Sequence, residues 1–287
     1  MLLKNVVSII SGGSSGLGAA AAKCLLRNGA KGVVVADLPH QRETFQKVFL
    51  EQEGNTGGGG GGGINDKDNY QKIIFAEVDV TQSEQISHAL DLAESTFGEP
   101  INAAISCAGI GTARKTISMK GNNGDDISTL RVHPLEEFTR TLTVNTIGTF
   151  NLARLAAERM MKRDDASDDS NLRGCIINTA SIAAYEGQIG QVAYSASKGA
   201  IVGMTLPMAR DLASHKIRVM TIAPGLFRTP LLEGLPEKVQ NELGASVPCP
   251  SRLGHPDEFG QLCVSILTNP MLNGEVIRLD GAVRMPP

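Results

Sequence analysis

Tyr194 and Lys198 are four residues apart, a spacing that suits acid–base chemistry. A helix predicted to begin near Gln191 places both side chains on one face, one turn apart. A phenol has a pKa near ~10 in water and is a poor base at neutral pH. Because an ammonium within ~4–6 Å favours the phenolate, we expect Lys198 to lower the pKa of Tyr194. The spacing indicates a catalytic pair only if the chain also supplies a cofactor site and a second polar group.

Three glycines near the start of the chain could form that cofactor site. Gly12, Gly16 and Gly18 follow an apolar run and precede a helix-patterned segment, spaced as G-x-x-x-G-x-G. Glycine lets the backbone approach a pyrophosphate, while the helix N-terminus faces its negative charge. An ordinary glycine-rich turn is the alternative. The position between a strand and a helix favours a dinucleotide site.

Acidic and thiol side chains follow other predicted strands, where ligands bind in open α/β sheets. Asp37 lies 19 residues after Gly18, and there a carboxylate accepts hydrogen bonds from ribose hydroxyls and repels a 2′-phosphate. This favours NAD over NADP, although an aspartate beginning a turn before Pro39 would look the same. Asp79 is placed to contact adenine. Cys107 is interpreted as a wall residue, because no histidine can be assigned to it.

Strand and helix patterns alternate along the chain and predict parallel βαβ units. Strands are predicted at 5–10, 32–37, 71–80, 101–106, 174–179, 217–222 and 275–279. Helices are predicted at 19–27, 40–53, 83–97 (capped near Thr81 or Ser83), 134–161, from Gln191 onward, and 256–267, with a loop-rich region at 226–256. Pro207 should kink the Tyr194 helix or start a shifted turn. The fold class is α/β: a single Rossmann-type doubly wound parallel sheet of about seven strands, with helices on both faces, over residues 1–287.

Two segments are predicted to be inserts. Residues 54–65 contain seven consecutive glycines, Gly57–Gly63, and should form a flexible surface loop. Residues 121–130 lie in a long polar connection that follows the fourth strand. Residues 163–173 are charged and expected to be mobile.

Composition narrows the classes of function. Lys plus Arg is 27 and Asp plus Glu is 30, and this balance lacks the basic footprint that direct nucleic-acid binding usually leaves. The five cysteines and five histidines are scattered without metal-ligand or disulfide spacing, so we expect no metal and a reducing compartment. No run is long and apolar enough to cross a bilayer, and no cleavable presequence is evident.

The glycine turn, Asp37, Asn145, Ser181, Tyr194 and Lys198 together resemble the short-chain dehydrogenase/reductase family, over nearly the whole chain. The resemblance implies that Tyr194 is the general base and that Lys198 also holds the nicotinamide ribose. Ser181 would bind the developing oxyanion, and Asn145 would fix a water in a proton relay. Taken singly, Ser181 could be a strand-end cap and Asn145 a buried helix asparagine. The resemblance also assigns cofactor contacts to Ser15, Leu17, Asp79, Val80, Cys107, Ala108, Gly109, Pro224, Phe227 and Thr229, and a substrate contact to Gln188.

Two positions depart from the pattern common in that family. Ser11 stands where many members have threonine, and Ser106-Cys107-Ala108-Gly109 stands where many have Asn-Asn-Ala-Gly. Ser11 keeps the hydroxyl group. The 121–130 insert could border the substrate cleft and change substrate preference.

The resemblance implies NAD-dependent oxidation of a secondary alcohol to a ketone. The expected substrates are short or branched 3-hydroxyacyl-CoA esters, as in fatty-acid or branched-chain amino-acid breakdown, with hydroxysteroids second. The alternatives are an NADP-linked carbonyl or 3-oxoacyl reductase and a non-catalytic subunit of a mitochondrial tRNA-processing complex. The resemblance also implies a homotetramer, built through helices around 196–212 and the C-terminal tail, in the mitochondrial matrix. The sequence itself fits a cytoplasmic protein equally well.

Overall fold

A seven-stranded parallel sheet forms the centre of the computed structural model, which describes residues 1–51, 72–119, 129–163 and 172–287. Its strands are β1 Val7–Ser11, β2 Gly32–Asp37, β3 Ile73–Glu77, β4 Ala103–Ser106, β7 Gly174–Thr179, β8 Ile217–Pro224 and β9 Val276–Leu279. The strand order is β3-β2-β1-β4-β7-β8-β9. Two short strands, β5 Ile117–Ser118 and β6 Arg131–Val132, pair antiparallel outside this sheet. The predicted Rossmann-type α/β class is confirmed.

Helices connect the strands and cover both faces of the sheet. They are α1 Gly16–Arg27, α2 Arg42–Phe45, α3 Ser83–Phe97, α4 Leu135–Leu142, α5 Gly148–Met160, α6 Val192–Ala213, α7 Pro230–Glu233, α8 Glu237–Ala245 and α9 Pro256–Thr268. Short 3-10 turns occur at Leu3–Asn5, Pro39–Gln41 and Ile182–Ala184. Two π segments, Gln46–Leu50 and Thr143–Ile147, continue helical runs, and the second joins α4 to α5.

The core lies in two layers because alternate residues of each buried strand point to opposite faces of the sheet. On one face, Ile10 and Val35 pack with Leu25 of α1 and Phe259 of α9. On the other face, the adjacent strand residues pack against α3, α5 and the C-terminal half of α6, with Leu152 among the buried side chains. Both faces of the sheet are apolar. The C-terminal half of α6 packs on one of them, and this packing holds the helix beside the strands that end at the candidate site.

Several predicted boundaries are wrong, each for a local reason. The first strand begins at Val7, because Leu3–Asn5 forms a 3-10 turn. The third strand ends at Glu77, and Asp79 lies beyond it, where its carboxylate accepts the Thr81 N–H at 2.9 Å. Gln82, rather than Thr81 or Ser83, occupies the N-cap position of α3.

Two further predictions need correction, and others lie outside the described residues. Helix α6 continues through Pro207, which excludes the shifted turn, while the alternative of a kink at Pro207 stays a prediction. The region predicted as loop-rich, 226–256, contains α7 and α8. The insert at 54–65 and most of the insert at 121–130 lie outside the described residues, as do residues 164–171. The assignment of residues 1–287 to one domain stays a prediction. In the described part of the chain, no helix has the length and apolar character needed to span a membrane.

The packing of α1 predicts a stability difference between two leucines. Leu25 is fully buried against the sheet, whereas Leu92 of α3 is 39% exposed. We expect Leu25→Ala to lower the free energy of unfolding by about 2–5 kcal/mol, because it leaves a cavity in the core. Leu92→Ala should cost less than about 1 kcal/mol. Urea unfolding followed by circular dichroism measures both losses. Equal losses would contradict this description of the core.

Candidate active site

Lys198 is buried at the base of the candidate site and anchors α6 to the sheet. Its Nζ donates a hydrogen bond to the carbonyl oxygen of Thr179, the last residue of β7, at 2.8 Å. Burial lowers the pKa of Lys198 to about 8, because the charged form loses its hydration. An ammonium has three donors, so two remain available to other groups in the site.

Tyr194 and Ser181 line the same cavity as this lysine. Ser181 is the N-cap of the Ile182–Ala184 turn, and its Oγ also accepts the Ala183 N–H at 3.1 Å. Ser181 therefore caps the turn that follows β7, and its predicted role in binding the oxyanion stays a prediction. Burial raises the pKa of Tyr194, and the hydrogen bond from Ser181 opposes that rise.

The expected lowering of the Tyr194 pKa by Lys198 is wrong for this structure. The Lys198 Nζ lies 5.8 Å from the centroid of the Tyr194 ring and is directed to the Thr179 carbonyl. Burial is the largest influence on both residues, and it raises the pKa of the phenol while it lowers the pKa of the amine. Sequence spacing predicted that Tyr194 and Lys198 lie together, but it could not predict that both are buried.

Asn145 lies in the π segment Thr143–Ile147 and is fully buried. Its Oδ1 accepts the Ile110 N–H at 2.8 Å, and its Nδ2 donates to the Ile110 carbonyl oxygen at 2.9 Å. The same Nδ2 lies 3.0 Å from the Ser197 Oγ. Asn145 therefore joins the chain after β4 to α6, next to Lys198. Its predicted water-binding role stays a prediction.

Two neighbouring cavities open at the carboxyl ends of the strands. The first, about 520 Å³, is lined by Ser181, Tyr194 and Lys198 together with apolar side chains that include Leu226, Phe227 and Leu232. The second, about 560 Å³, is lined by the glycine turn and by residues beyond β2 and β3. Leu17, Cys107, Gly109, Ile110, Thr179 and Thr229 border both cavities, so the two form one cleft.

The glycine turn has the close backbone approaches that its spacing predicted. Gly12 and Gly16 have φ values of +64° and +52°, in the region that glycine tolerates. A Cβ on Gly18 would lie 2.2 Å from the Gly12 carbonyl oxygen, and a Cβ on Gly12 would lie 2.8 Å from the Ala108 nitrogen. Any larger residue at these positions would fill the space between α1, β1 and the end of β4.

Asp37 is held at the far wall of the second cavity by backbone donors. Its Oδ2 accepts the Ser14 N–H at 3.0 Å, and its Oδ1 accepts the Leu38 N–H at 2.9 Å. The carboxylate thus stabilises the turn that follows β2, as expected if Asp37 only begins a turn before Pro39. It also lines the cavity. Asp79, Val80, Ala108 and Ser15 line the same cavity. A carboxylate fixed in this way has little freedom to move away from a ligand.

Cys107 is a wall residue between the two cavities. Its Sγ lies 3.6 Å from the Thr179 Oγ1, and burial raises its pKa to about 11. A thiol with that pKa stays protonated near neutral pH and is a poor nucleophile. The sequence interpretation of Cys107 as a wall residue agrees with this environment.

Most of the predicted site residues line the cleft, but two do not. Pro224, Phe227 and Thr229 border the first cavity together with Tyr194 and Lys198. Gln188 is not among the lining residues, because its Nε2 donates to the Pro286 carbonyl oxygen at 3.3 Å. Asn145 borders neither cavity and instead binds the backbone of Ile110, which lines both. The site therefore forms without a direct contribution from the Gln188 side chain.

Sequence reasoning missed other lining residues. Gln191 and the segment 110–113 border the first cavity, while Gln41, Arg140 and Val144 border the second. Gln191 could have been found, because it was the predicted start of the Tyr194 helix. Arg140 and Val144 are one turn apart on the helix before Asn145, a weaker signal. Within the described residues, no group of three or more His, Cys, Asp or Glu side chains is arranged to hold a metal ion.

Comparison with known proteins agrees with this geometry. A profile described as short chain dehydrogenase matches residues 63–240. The chain is 50% identical to the human protein named 3-hydroxyacyl-CoA dehydrogenase type-2, over 99% of this chain and 97% of that protein. It is 46% identical to the Drosophila melanogaster protein of the same name, over the full length of both. A crystal structure titled 3-hydroxyacyl-CoA dehydrogenase type-2 from Mycobacterium avium has a TM-score of 0.83 and 34% identity, with 99% of this chain and 98% of that chain covered.

The burial of Lys198 predicts a pH-dependent stability. An unfolded lysine has a pKa near ~10.4, whereas the pKa of buried Lys198 is about 8. Between these values the unfolded chain binds more protons, so this residue makes stability rise as pH rises from about 8 to about 10.4. Below that window, burial of the charge costs on the order of 3 kcal/mol.

Lys198→Met removes this titration. The unfolding free energy of the variant minus that of the wild type should therefore be largest near neutral pH and should shrink by about 3 kcal/mol toward alkaline pH. Urea titrations of both proteins across the window measure the difference. The lost hydrogen bond to Thr179 adds a constant that cancels in this comparison. A pH-independent difference would show that Lys198 has an ordinary pKa.

Proposed function

This chain belongs to the short-chain dehydrogenase family and is an oxidoreductase with a nicotinamide cofactor and a small-molecule substrate; from that premise, we propose that it oxidises the alcohol of short or branched 3-hydroxyacyl-CoA esters to the ketone with NAD. The observation that carries the proposal is the convergence of Ser181, Tyr194 and Lys198 on a cavity continuous with the glycine turn.

The cleft fits a dinucleotide. At Gly12 and Gly18 the neighbouring backbone leaves no room for a Cβ, and this closely packed turn lies at the N-terminus of α1, where a pyrophosphate would be stabilised. We assign the adenosine end to Asp37, Asp79 and Val80, and the nicotinamide end to Pro224, Phe227 and Thr229. Gly16, Ser15 and Leu17 border the middle, and Cys107, Ala108 and Gly109 form the inner wall. When bound, an oxidised nicotinamide accepts hydride from the carbinol carbon.

The chain's own residues handle the proton. Tyr194 takes the proton of the substrate hydroxyl, and the Ser181 hydroxyl donates to the oxygen as it becomes a carbonyl. Until the substrate occupies the site, the single Ser181 hydroxyl proton is donated to Tyr194, which favours the phenolate against the effect of burial. Lys198, fixed by Thr179, offers its remaining donors to the ribose.

The assignment of the substrate class rests on the named relatives and on the lining of the first cavity. Relatives at 46–50% identity are named for 3-hydroxyacyl-CoA oxidation. Leu226, Leu232 and Ile110 line the same cavity as Tyr194 and give it apolar walls, which suit a short acyl chain. Hydroxysteroids are the second substrate class that such a wall would accept.

NAD is the proposed acceptor because of Asp37. The backbone donors from Ser14 and Leu38 keep a negative charge at the far wall, where a 2′-phosphate would meet like charge. An NADP-linked reductase is the rival, and it would need a neutral or cationic residue at this place.

Assembly and location stay predictions. Exposed apolar side chains on α6 and on the preceding helical run support a homotetramer: Val192, Leu206, Ile147 and Phe150. Contiguous exposed apolar surface commonly marks an interface between proteins. The mitochondrial matrix is proposed from the family resemblance alone, and imaging of a tagged full-length protein would check it.

Tyr194→Phe tests the proposed reaction. We expect a loss of about 10²–10⁴-fold in NADH production from 3-hydroxybutyryl-CoA, since the variant lacks the group that takes the proton. NADH binding, measured by fluorescence, should stay within about twofold because the ring is retained. Wild-type protein that oxidises unrelated alcohols and no thioester would end the assignment to acyl-CoA. A fully active Phe variant would remove Tyr194 from the chemistry.

Asp37→Asn tests the choice of cofactor. The substitution keeps an acceptor for the turn and removes the charge, so discrimination against NADP, measured as the ratio of kcat/KM values, should fall at least about tenfold. Asp79→Asn is the matched control, because it removes an equal charge from the same cavity away from the Ser14 turn. Comparable discrimination in wild type and Asp37→Asn would refute the role of Asp37.

A further inference from the structure

The C-terminal segment 278–287 lies against the loop that precedes α6, residues 185–191, which we call the pre-α6 loop. Glu186 is its main contact. The Glu186 carboxylate accepts hydrogen bonds from Arg278 at 2.7 and 3.2 Å and from the Met285 N–H at 3.2 Å. The Arg284 Nε lies 3.3 Å from the same carboxylate. One carboxylate thus holds three groups of the C-terminal segment.

Arg278 in turn is fixed on all sides. Its Nε donates to Asp280 at 2.7 Å, and its Nη2 donates to the Val283 carbonyl oxygen at 3.1 Å. The guanidinium lies 5.2 Å from the ring centroid of Tyr185. Because a planar guanidinium held by several partners loses little further freedom, its bidentate bond to Glu186 is geometrically specific. Arg278 lowers the pKa of Glu186, which keeps the carboxylate charged.

The pre-α6 loop transmits this position to the cavity. The Gln188 N–H donates to the Gln191 Oε1 at 3.0 Å, and Gln191 lines the first cavity and precedes α6. The Gln188 side chain is bound to Pro286, so the C-terminal segment holds the loop at two points. At the other end, the Arg114 N–H donates to the Gly190 carbonyl oxygen at 2.7 Å.

The loop also has little space against α6. A Cβ on Gly187 would lie 2.1 Å from the Ser195 Oγ, one residue after Tyr194. Because this contact leaves the loop no room to move toward α6, a shift caused by loss of the C-terminal contacts would be taken up at Gln191, which is bound to the Gln188 N–H. The wall of the substrate cavity depends on a contact made almost a hundred residues away in sequence.

We propose that Glu186 is a positioning residue, which ties the pre-α6 loop to the C-terminal segment and so sets the fit of the acyl substrate. It touches no reacting atom. The inference rests on the proposed function for its substrate, and it adds a specificity determinant that is absent from the catalytic set.

Glu186→Gln tests this role in the full-length protein. The variant keeps the shape and loses the charge that binds Arg278 and Arg284. We expect the KM for 3-hydroxybutyryl-CoA to rise about tenfold, since a displaced wall removes binding that the substrate and the transition state share. The KM for NAD and the kcat should stay within about twofold, because the catalytic pair and the cofactor cradle are not moved.

Asp91→Asn is the matched control. Asp91 of α3 forms a 2.7 Å ion pair with Arg159 and borders neither cavity. This variant should leave every kinetic constant unchanged. Arg278→Gln and the double variant Glu186→Gln/Arg278→Gln complete a cycle, in which the double variant should be no worse than the more damaging single variant. If the rises in KM caused by the two single substitutions add up in the double variant, Glu186 and Arg278 act independently and the proposal is wrong.

A measurement without substrate distinguishes failure of this inference from failure of the proposed function. Hydrogen exchange of the NADH-bound protein should be faster in Glu186→Gln at 185–191, with β1 and β7 unchanged. If the wild type turns over no thioester while exchange rises as expected, the substrate assignment is wrong and the positioning role stands. If exchange at 185–191 is unchanged, or if kcat falls with KM unchanged, Glu186 does not position the substrate wall. Size-exclusion chromatography must give one assembly size for all variants, and a changed size would assign the effect to assembly and overturn the proposal.

Discussion

The hydrogen bond from Lys198 to the Thr179 carbonyl is the interaction on which the site depends. Removing an ammonium from water is costly unless it is paired or becomes neutral. Here the chain gives the amine one fixed acceptor at the end of β7, and its pKa falls to about 8. The bond sets the position of α6 relative to the sheet. Tyr194 is one turn earlier on α6 and Ser181 is two residues beyond Thr179, so the same bond brings the hydroxyl groups together.

The other half of the cleft depends on how closely the backbone segments approach. Gly12 lies against Ala108, and Gly18 lies against Gly12, at distances that exclude a Cβ. Asn145 then binds both backbone groups of Ile110, so the chain after β4 is held from the opposite side. Asn145 also reaches Ser197, the residue before Lys198. The cofactor cradle and the catalytic helix are consequently coupled through one buried asparagine, placed by a π segment that turns its side chain inward.

Features set by local sequence could be predicted, and features set by distant contacts could not. The strands at 32–37 and 174–179 and the helix at 83–97 have the predicted bounds, because an apolar run or an amphipathic period ends at a polar or glycine residue in each case. The Tyr194–Lys198 pair and the glycine turn are also local. The π segment at Asn145 and the binding of Gln188 to Pro286 follow from tertiary contacts. No spacing rule could give them.

The pKa of Tyr194 shows most clearly what spacing leaves out. A lysine one turn away suggests an ion pair that creates a phenolate, but both groups are buried, and burial favours the neutral form of each. The hydrogen bond from Ser181 is the influence that lowers the pKa of the phenol. Because Ser181 has one hydroxyl proton, in the proposed reaction it donates first to the Tyr194 oxygen and then to the substrate oxygen. Lys198, bound to the end of β7, acts mainly through position. In the proposed reaction, the electrostatic task that the sequence assigned to the lysine falls in part to the serine, because burial of both Tyr194 and Lys198 opposes the effect of their proximity.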